Sequence, residues 1–346
     1  MKSHVALRRL YNQHLGSPPL ATAQDVVRAL GAVQSQDYGS AKWGVARRTE
    51  SLTDPDVERA VDSGAILRTH VLRPTWHFVL REDARWMLGL TAPRIRMSMS
   101  YHDRELGLDR VVVRRSHAVL ERALRDGQQL TRAELAELFR RARVAAPTGQ
   151  HVGHLLMRAE LDRVIISGAR RGKQATYALF DDRVPPAPER ERDESLQDLA
   201  RRYFATRGPA TLQDFAWWSG LTQADGRRGL EALGMMPTVV NGRTYYGHAA
   251  QVAEKPPRVD LVQIYDEIGV AYTESRDVVQ GDDILLGRGP VYYHSILLNG
   301  KLIGRWRRTV EAGSVSLETQ FRRALTKGET KALERELERY RLFATT

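Results

Sequence analysis

The stretch from Ser195 to Gly247, SLQDLARRYFATRGPATLQDFAWWSGLTQADGRRGLEALGMMPTVVNGRTYYG, decides the fold. Its first part contains three consecutive segments with apolar residues at helical spacing, which predict three helices. The last ten residues place two β-prone runs on either side of Asn241-Gly242, a pair that favours a two-residue hairpin turn. Helix, short helix, helix and hairpin is the order of a winged helix-turn-helix motif, so we predict one here.

The same order occurs further towards the N-terminus. Helices are predicted over 111–127, 130–142 and 149–168, with Thr131 as the N-cap and Glu134 at capping-box spacing. The overlapping stretch RVIISGARRGKQATYALF has two apolar runs around a turn rich in Gly and Arg, which is typical of a β-hairpin. This segment predicts a second winged-helix motif.

The N-terminal third follows a similar plan. Apolar spacing predicts helices over 3–16 and 53–64. Between them, another helix is predicted to begin at Thr22 and to have Val33 on its apolar side. The run from Val71 to Val79 is interpreted as one short strand broken by Pro74, and Arg81 is predicted to open another helix. Helices followed by a short β element indicate a third winged-helix motif.

The C-terminal part has a different pattern. An apolar run begins VDLVQIYDEI, and YYHSILLNGKLIGRWRR predicts a hairpin centred on Asn299-Gly300. A final helix carries Leu333, Leu337 and Tyr340 as a packing stripe. With the Pro-rich and charged stretch at 181–194 as a surface linker, the predicted domains are 1–108, 109–184, 193–250 and 256–346.

Composition restricts the classes of function. The chain has 346 residues, and 53 Lys and Arg against 42 Asp and Glu give a net charge of +11, which favours polyanionic partners such as nucleic acid. The absence of cysteine excludes disulfides, thiolate nucleophiles and Cys-based zinc sites. No apolar run of about 18 residues and no signal peptide are present, so we expect no membrane span and a cytoplasmic protein.

Cofactor motifs are also missing from the sequence. It contains neither a P-loop nor a GxGxxG pattern. His151 and His154 are three residues apart, but neither a third ligand nor an HExxH pattern accompanies them. We therefore predict no metal and no organic cofactor.

The segment GAVQSQDYGS, residues 31–40, groups Gln34, Gln36 and Asp37 at the predicted end of the second helix. Residues two apart on an α-helix point about 200° from each other, so Gln34 and Gln36 can converge only where the helix has ended. In a continuing helix Gln34 and Asp37 would share a face instead. A polar helix end without any catalytic role is the remaining alternative.

Five motifs in this order support a family resemblance: GAVQSQDY, RPTWHFV, RGPATLQDFAWWSGL, YDEI and LLNGKLIGRWRR. Over nearly its whole length the chain resembles the AlkZ/YcaQ-like DNA glycosylases, usually labelled winged helix DNA-binding domain-containing proteins. The resemblance implies an α+β, mainly helical fold. In that fold three tandem winged helix-turn-helix motifs form a C-shaped arrangement, and the C-terminal part is rich in β-structure.

Characterised members of that family remove bulky N7-alkylated purines and unhook interstrand crosslinks, and some protect antibiotic producers from their own DNA-alkylating products. The family signature is Gln-apolar-Gln in the self-resistance branch and Gln-apolar-Asp in the other branch. Gln34-Ser35-Gln36 matches both glutamines of the first branch, with Ser in place of the apolar residue. The resemblance thus implies that Gln34 and Gln36 are catalytic, and Asp37 is a third candidate.

Glutamines suit this chemistry. An N7-alkylated guanine already carries a positive charge and departs without a general acid, which leaves water placement and charge stabilisation to the protein. A glutamine side chain both accepts and donates hydrogen bonds, so two of them can orient one water. No lysine adjoins the motif to form a Schiff base, so we expect a monofunctional glycosylase.

Other candidate residues concern DNA and the lesion pocket. The basic turn and the C-terminal hairpin are predicted to contact phosphates through Arg170, Arg171, Lys173, Lys301, Arg305, Arg307 and Arg308. Tyr38, Trp43 and His77 are pocket candidates, with core packing as the alternative, and Trp217 and Trp218 are predicted to be core residues. The expected partner of a monomeric protein is double-stranded DNA carrying alkylated purines or crosslinks. A non-enzymatic winged-helix transcriptional regulator is the rival interpretation.

Overall fold

The computed structural model describes residues 2–16, 18–144, 148–247, 257–280, 294–311 and 314–345. This part of the chain contains fifteen helices and twelve strands. The helices are α1 Lys2–Asn12, α2 Ala23–Leu30, α3 Tyr38–Ala46, α4 Asp54–Asp62, α5 Arg81–Glu105, α6 Arg110–Ala123, α7 Arg132–Arg141, α8 Gly149–Leu161, α9 Phe180–Arg183, α10 Arg192–Arg207, α11 Leu212–Ser219, α12 Gln223–Ala232, α13 Glu267–Val270, α14 Asp277–Gln280 and α15 Lys327–Thr345.

The strands are short except in the C-terminal part. They are β1 Val33–Gln34, β2 Ile66–His70, β3 Trp76–Leu80, β4 Leu130–Thr131, β5 Ile165–Ser167, β6 Thr176–Leu179, β7 Thr238–Val240, β8 Arg243–Tyr245, β9 Val259–Val262, β10 His294–Leu298, β11 Lys301–Glu311 and β12 Ser314–Phe321. The mixed helix and strand content agrees with the expected α+β class. The chain divides into two compact units, one formed by residues 1–58, 196–218 and 222–346, and the other by 59–195 and 219–221.

In the first unit, the N-terminal helices are shorter than predicted. The helix predicted from Thr22 does begin there: Thr22 is the N-cap of α2, and its side chain forms a reciprocal capping box with Asp25. The prediction that the helix extends to Val33 is wrong, since α2 ends at Leu30 and Val33 lies in β1. The cause is Gly31, which adopts a φ of 75° that does not continue a right-handed helix.

Two hairpins of the first unit follow the predicted turn chemistry. Asn241 and Gly242, between β7 and β8, have φ values of 51° and 74°, and Asn299 and Gly300, between β10 and β11, have 48° and 79°. Two successive positive φ values define the type I′ turn that matches the twist of a hairpin. The second hairpin belongs to an antiparallel sheet in the order β12-β11-β10-β9.

The last helix, α15, packs through the predicted stripe. Leu333 and Tyr340 are buried and Leu337 is half-buried. Phe343 continues the buried side of the helix, and Tyr340 meets Trp306 of β11 with ring centroids 4.9 Å apart. The helix thereby contributes an aromatic core against the C-terminal sheet.

The second unit begins with a hairpin where one strand was predicted. Strands β2 and β3 pair antiparallel from Ile66↔Leu80 to His70↔Trp76, and residues 71–75 form the turn. The interpretation of Val71 to Val79 as one strand is therefore wrong. Pro74, which cannot donate a main-chain hydrogen bond, marks the turn rather than an interruption within a strand. Helix α5 begins at Arg81, as predicted.

The rest of the second unit follows the predicted order of three helices and a hairpin. Thr131 caps α7 and forms the capping box with Glu134. Helix α8 ends at Leu161, and β5 pairs antiparallel with β6 from Ile165↔Leu179 to Ser167↔Tyr177. A hydrophobic core that includes Leu120, Leu135, Phe139, Leu155 and Ile165 joins these elements.

Candidate active site

The glutamine motif lies between two helices and not on one. Gln34 ends β1, Ser35 and Gln36 are non-helical, and α3 starts at Tyr38. Gln34 lies in β1 and Gln36 in the bend that follows it, so the two side chains are not held on opposite faces of a helix. The helix has ended before Gln34, which convergence of Gln34 and Gln36 requires, and the continuing helix that would pair Gln34 with Asp37 is not present.

Burial differs along the motif. Gln34 and Ser35 are buried, and Gln36 and Asp37 are exposed. Ser35 thus fills a buried position where the signature given by the resemblance has an apolar residue. A small hydroxyl side chain occupies it here.

The Asp37 side chain caps the N-terminus of the next helix, α3. Its backbone is extended, with φ −95° and ψ 107°, and its Oδ1 accepts a hydrogen bond from the Ser40 N–H at 2.8 Å. An aspartate at this position satisfies a main-chain donor of the first turn that has no helical partner. Asp37 therefore has a structural function as the N-cap of α3, and its side chain remains 50% exposed.

A buried ion pair forms hydrogen bonds with the main chain just before the glutamine motif and at its first residue. The Arg207 guanidinium donates to the carbonyl oxygens of Leu30 at 2.7 Å and Ala32 at 2.9 Å. Glu267 accepts the Gln34 N–H through Oε1 at 2.8 Å, and its Oε2 lies 2.7 Å from Arg207 Nη2. Trp218 Nε1 also donates to Oε2 at 2.8 Å. Arg207, Glu267 and Trp218 are all fully buried.

Sequence reasoning did not single out Arg207 and Glu267 as functional residues. Both belong to motifs that carried the resemblance, RGPATLQDFAWWSGL and YDEI, and membership of these motifs was the available signal. Trp218 is a core residue as predicted. The prediction for Trp217 is wrong, since it is 45% exposed, with its Nε1 donating to the Val270 carbonyl at 3.1 Å.

The arginines of β11 fall on two faces of the strand. Arg305 and Arg307 reach across to β12, where Arg305 Nε donates to Gln320 Oε1 at 2.6 Å and Arg307 pairs with Glu318 at 2.7 Å. Trp306 and Arg308 have the other orientation, as strand alternation requires. The candidate DNA-binding arginines of this hairpin are therefore not one continuous patch.

Arg308 lies next to the glutamine motif. Its Nη2 is 3.2 Å from Ser40 Oγ and 4.0 Å from Asp37 Oδ1, and its Nη1 donates to the Tyr340 hydroxyl. The guanidinium is half-buried. This cation links β11 to the first turn of α3, directly after Gln36.

His294 adds a neutral imidazole to the same region. Its ring packs on Trp306 with centroids 4.6 Å apart, and its Nδ1 accepts a hydrogen bond from the Ile264 N–H at 3.1 Å. Burial, followed by the positive charge of Arg308, lowers the pKa of His294 to about 4. The imidazole is thus uncharged at neutral pH, with the proton on Nε2.

The three pocket candidates differ in environment. Tyr38 is half-buried at the start of α3, with Lys42 Nζ 5.2 Å from its ring centroid. Trp43 is 1% exposed, donates to the Leu261 carbonyl at 2.7 Å and meets Tyr340 edge-on, so it has the position of a core residue. His77 lies in the second unit, fully buried in β3, with Nδ1 2.9 Å from the Thr75 carbonyl oxygen.

The basic turn of the second unit lies between β5 and β6. Arg171 is exposed but forms an ion pair with Glu134 at 2.8 Å and donates to the Gln129 carbonyl at 2.7 Å. Arg170 donates its main-chain N–H to Asp62 and its guanidinium to the Lys173 carbonyl oxygen. Lys173 is exposed. A phosphate would have to compete with Glu134 for Arg171.

Lys301 is separate from the motif. It precedes Arg308 by seven residues on β11, which corresponds to roughly 23 Å along an extended strand. Lys301 lines a cavity of about 920 Å³ with a mixed apolar and basic wall that includes Leu10, Leu298, Ile303 and Arg335. The predicted hairpin therefore presents two distinct basic regions.

Two further findings concern the described ranges of the chain. Within them, no group of three His, Asp or Glu side chains is placed to hold a metal ion; His154 instead contacts Asp103 at 3.0 Å. In the same ranges, no helix has the length and apolarity that membrane crossing requires.

Comparison with known proteins defines the class of this chain. The family model described as DNA glycosylase AlkZ-like matches residues 27–343, which includes the glutamine motif, the Arg207–Glu267 pair and most of α15. The chain belongs to the AlkZ-like DNA glycosylase family.

Two matches to this chain come from Streptomyces sahachiroi, one by sequence and one by structure. The chain is 27% identical over 227 residues to its interstrand DNA cross-link repair glycosylase, a match that covers 62% of this chain and 59% of that protein. This chain thus matches less than two thirds of the length of that relative. The solved structure of the Streptomyces sahachiroi DNA glycosylase AlkZ superposes with a TM-score of 0.78 at 20% identity, covering 99% of this chain and 97% of the other, which shows a shared fold.

Proposed function

We propose that the protein is a monofunctional DNA glycosylase that hydrolyses the N-glycosidic bond of bulky N7-alkylated purines. The observation that supports this most directly is the non-helical Gln34-Ser35-Gln36 segment, whose main chain at Gln34 is bound by the buried Arg207–Glu267 pair. Gln34 and Gln36 place the attacking water. The family to which the chain belongs is consistent with this chemistry.

The reaction needs no strong acid in this scheme. The alkylated base leaves as a neutral molecule, since its positive charge passes to the sugar as the bond breaks. The water that attacks the sugar is oriented by the amide oxygen of one glutamine. As its oxygen bonds to the sugar carbon, its proton passes to bulk solvent water, because the amide is not a base. Asp37, exposed and within 4.0 Å of Arg308, is the proposed third member, which stabilises the cationic sugar.

Unhooking of interstrand crosslinks is the second part of the proposal. The relative from Streptomyces sahachiroi is named as an interstrand DNA cross-link repair glycosylase. A crosslink through N7 presents the same cationic base as a monoadduct, so one site serves both lesions. Self-resistance to a DNA-alkylating natural product, in a cytoplasmic setting, fits the Gln-x-Gln form of the motif.

Binding of duplex DNA is proposed to involve winged-helix motifs. Each of the three segments has the required helices followed by a hairpin: β2–β3, β5–β6 and β7–β8. The basic residues Arg170, Arg171, Lys173, Lys301, Arg305, Arg307 and Arg308 supply phosphate contacts whose affinity falls with salt. A monomer suffices for this mode of binding.

Incubation with damaged DNA tests the proposal. Duplexes carrying N7-methylguanine or a nitrogen-mustard crosslink are treated with the wild-type protein, and abasic sites are revealed by alkaline cleavage. We expect strand breaks at the lesion and unhooked products. Intact strands on both substrates would contradict the proposed activity, and sequence-specific binding of undamaged DNA would favour a transcriptional regulator instead.

A further inference from the structure

Glu267 contacts the main chain of a proposed catalytic residue without lying at the surface itself. Its Oε1 accepts the Gln34 N–H at 2.8 Å, and the carboxylate is fully buried. Its Oε2 accepts three more hydrogen bonds, from Arg207 Nε at 3.0 Å, Arg207 Nη2 at 2.7 Å and Trp218 Nε1 at 2.8 Å. Oε1 thus binds the main chain of the glutamine motif, and Oε2 binds the buried side chains of Arg207 and Trp218.

Arg207 extends this contact to the preceding residues. It donates to the carbonyl oxygens of Leu30 and Ala32, at the point where α2 has ended. Carbonyl groups at a helix C-terminus have no helical partner and require another donor. Arg207 and Glu267 together therefore bind three main-chain groups between Leu30 and Gln34.

We infer that Glu267 is a positioning residue for the glycosylase reaction, because it fixes the main chain of Gln34 and through it the direction of the side-chain amide. The inference rests on the proposed function of Gln34. A buried ion pair is costly unless its hydrogen bonds are complete, and a complete network permits a single arrangement of its members. Catalysis by placement of one water needs this accuracy, because a displacement of about 1 Å can reduce a rate about 100-fold.

The requirement is specific for glutamate. An aspartate retains the charge opposite Arg207 but is one carbon–carbon bond, about 1.5 Å, shorter. It therefore cannot reach both Gln34 and the Arg207–Trp218 side. A glutamine has the length, but its amino group would face the donors of Arg207 and Trp218 and leave Arg207 without a counterion.

The variant Glu267→Asp is the test, and Glu336→Asp is its matched control. Glu336 is also buried, accepts from Arg47 Nη2 at 3.0 Å and accepts the Leu261 N–H at 3.3 Å. Shortening it removes the same kind of main-chain contact from β9 and leaves the motif untouched. Comparison of the two variants separates a loss of general stability from a loss of positioning.

Three quantities are measured: the single-turnover excision rate on N7-methylguanine DNA, the Kd for that DNA, and the hydrogen exchange of the Gln34 amide. For Glu267→Asp we expect an excision rate about 100-fold lower, a Kd within about threefold of wild type, and exchange at least about tenfold faster. For Glu336→Asp we expect excision and Gln34 exchange within about threefold of wild type.

A wild-type excision rate in Glu267→Asp would overturn the inference, as would an equal loss of rate in both variants at equal loss of Tm. Amide exchange requires no substrate, so an unchanged Gln34 amide in Glu267→Asp contradicts the positioning on its own. The proposed function fails separately, when wild-type protein excises no base or when Gln34→Ala retains the wild-type rate.

Discussion

Two adjacent arginines of β11 have different contacts because they lie on opposite faces of the strand. Arg307 pairs with Glu318 on one face of β11, whereas Arg308 contacts Ser40 and the Tyr340 hydroxyl on the other. The sequence shows Arg307 and Arg308 as two equal neighbouring cations, and only the pairing of the strand distinguishes them. Arg308 is close enough to the motif to influence the reaction itself.

Substitution of these arginines provides a matched pair. We expect Arg308→Ala to lower the single-turnover excision rate about tenfold, because the cation beside Asp37 and the bond to Ser40 are lost. Arg307→Ala should leave the rate within about twofold, since its ion pair is exposed and such pairs contribute little. Excision assays at saturating protein measure both, and an equal effect of the two variants would contradict the assignment of Arg308 to the site.

His294 gives the fold a pH dependence. Its pKa is lowered to about 4, from an ordinary value of 6.5, by burial and by the charge of Arg308. Between about pH 4 and 6.5 the unfolded chain binds a proton at this residue that the folded chain does not, so stability falls as the pH is lowered through that window. The groups that face the imidazole are Trp306, Arg308, Asp37 and the Ile264 N–H.

Urea unfolding at pH 7 and pH 5 tests this effect. The wild-type protein should lose roughly 1–2 kcal/mol more on acidification than His294→Asn, whose amide oxygen can still accept a hydrogen bond but does not titrate. Two proteins with the same loss between pH 7 and pH 5 would show that His294 is not held neutral.

Among the elements, the segment from α2 to α3 differs most from its sequence pattern. Val26, Val27, Leu30 and Val33 keep a helical spacing, yet Gly31 ends the helix before Val33. The turn chemistry of the two Asn-Gly hairpins and the capping boxes at Thr22 and Thr131 were predictable, because these signals act within four residues. Gly31 is also a local stop signal, and the helical spacing of Val33 obscured it. The contacts of Arg207 with the carbonyl oxygens of Leu30 and Ala32 could not be predicted, because Arg207 is distant in sequence.

The two Asn-Gly turns allow a comparison at the level of the element. Gly300 and Gly242 have nearly equal φ values, 79° and 74°. A Cβ at Gly300 would lie 2.9 Å from the Ala6 carbonyl oxygen of α1, whereas a Cβ at Gly242 would have no atom of the described residues within 4 Å. We expect Gly242→Ala to destabilise the protein by about 1 kcal/mol through backbone strain alone. Gly300→Ala should cost roughly 1 kcal/mol more, because the backbone of α1 has to move.

Chemical denaturation of the two variants measures the difference. Gly242→Ala is the control for strain in a type I′ turn, so only the excess loss in Gly300→Ala reports the contact with α1. Equal destabilisation in both variants would show that the hairpin turn does not pack against the helix as the structure describes.

At the scale of the whole molecule, the order of elements was predictable and the assembly of the site was not. Local patterns placed most helices and hairpins, and the family motifs identified Gln34 and Gln36 as candidates. The surroundings of those glutamines come from distant parts of the chain: Arg207 from α10, Glu267 from α13 and Arg308 from β11. Contacts between residues so far apart leave no periodic signal in the sequence.

The net charge of the chain also predicts less than the structure shows. A net charge of +11 favours DNA as a partner, but it does not say which cations are available. Arg171 is paired with Glu134, Arg305 is bound to Gln320, and Arg307 is paired with Glu318. DNA phosphates would have to replace these partners, so the count of basic residues overstates the number of ready contacts.

Gln34 and Gln36, which lie in a non-helical segment, are proposed to perform the hydrolysis. The most direct test of this claim is the single-turnover excision of N7-methylguanine from duplex DNA by the double variant Gln34→Ala, Gln36→Ala, with the exposed Gln128→Ala as the control. We predict that the double variant loses at least about 100-fold in rate while DNA affinity changes less than about threefold, and that the control matches wild type. An active wild type together with a fully active double variant would contradict the claim.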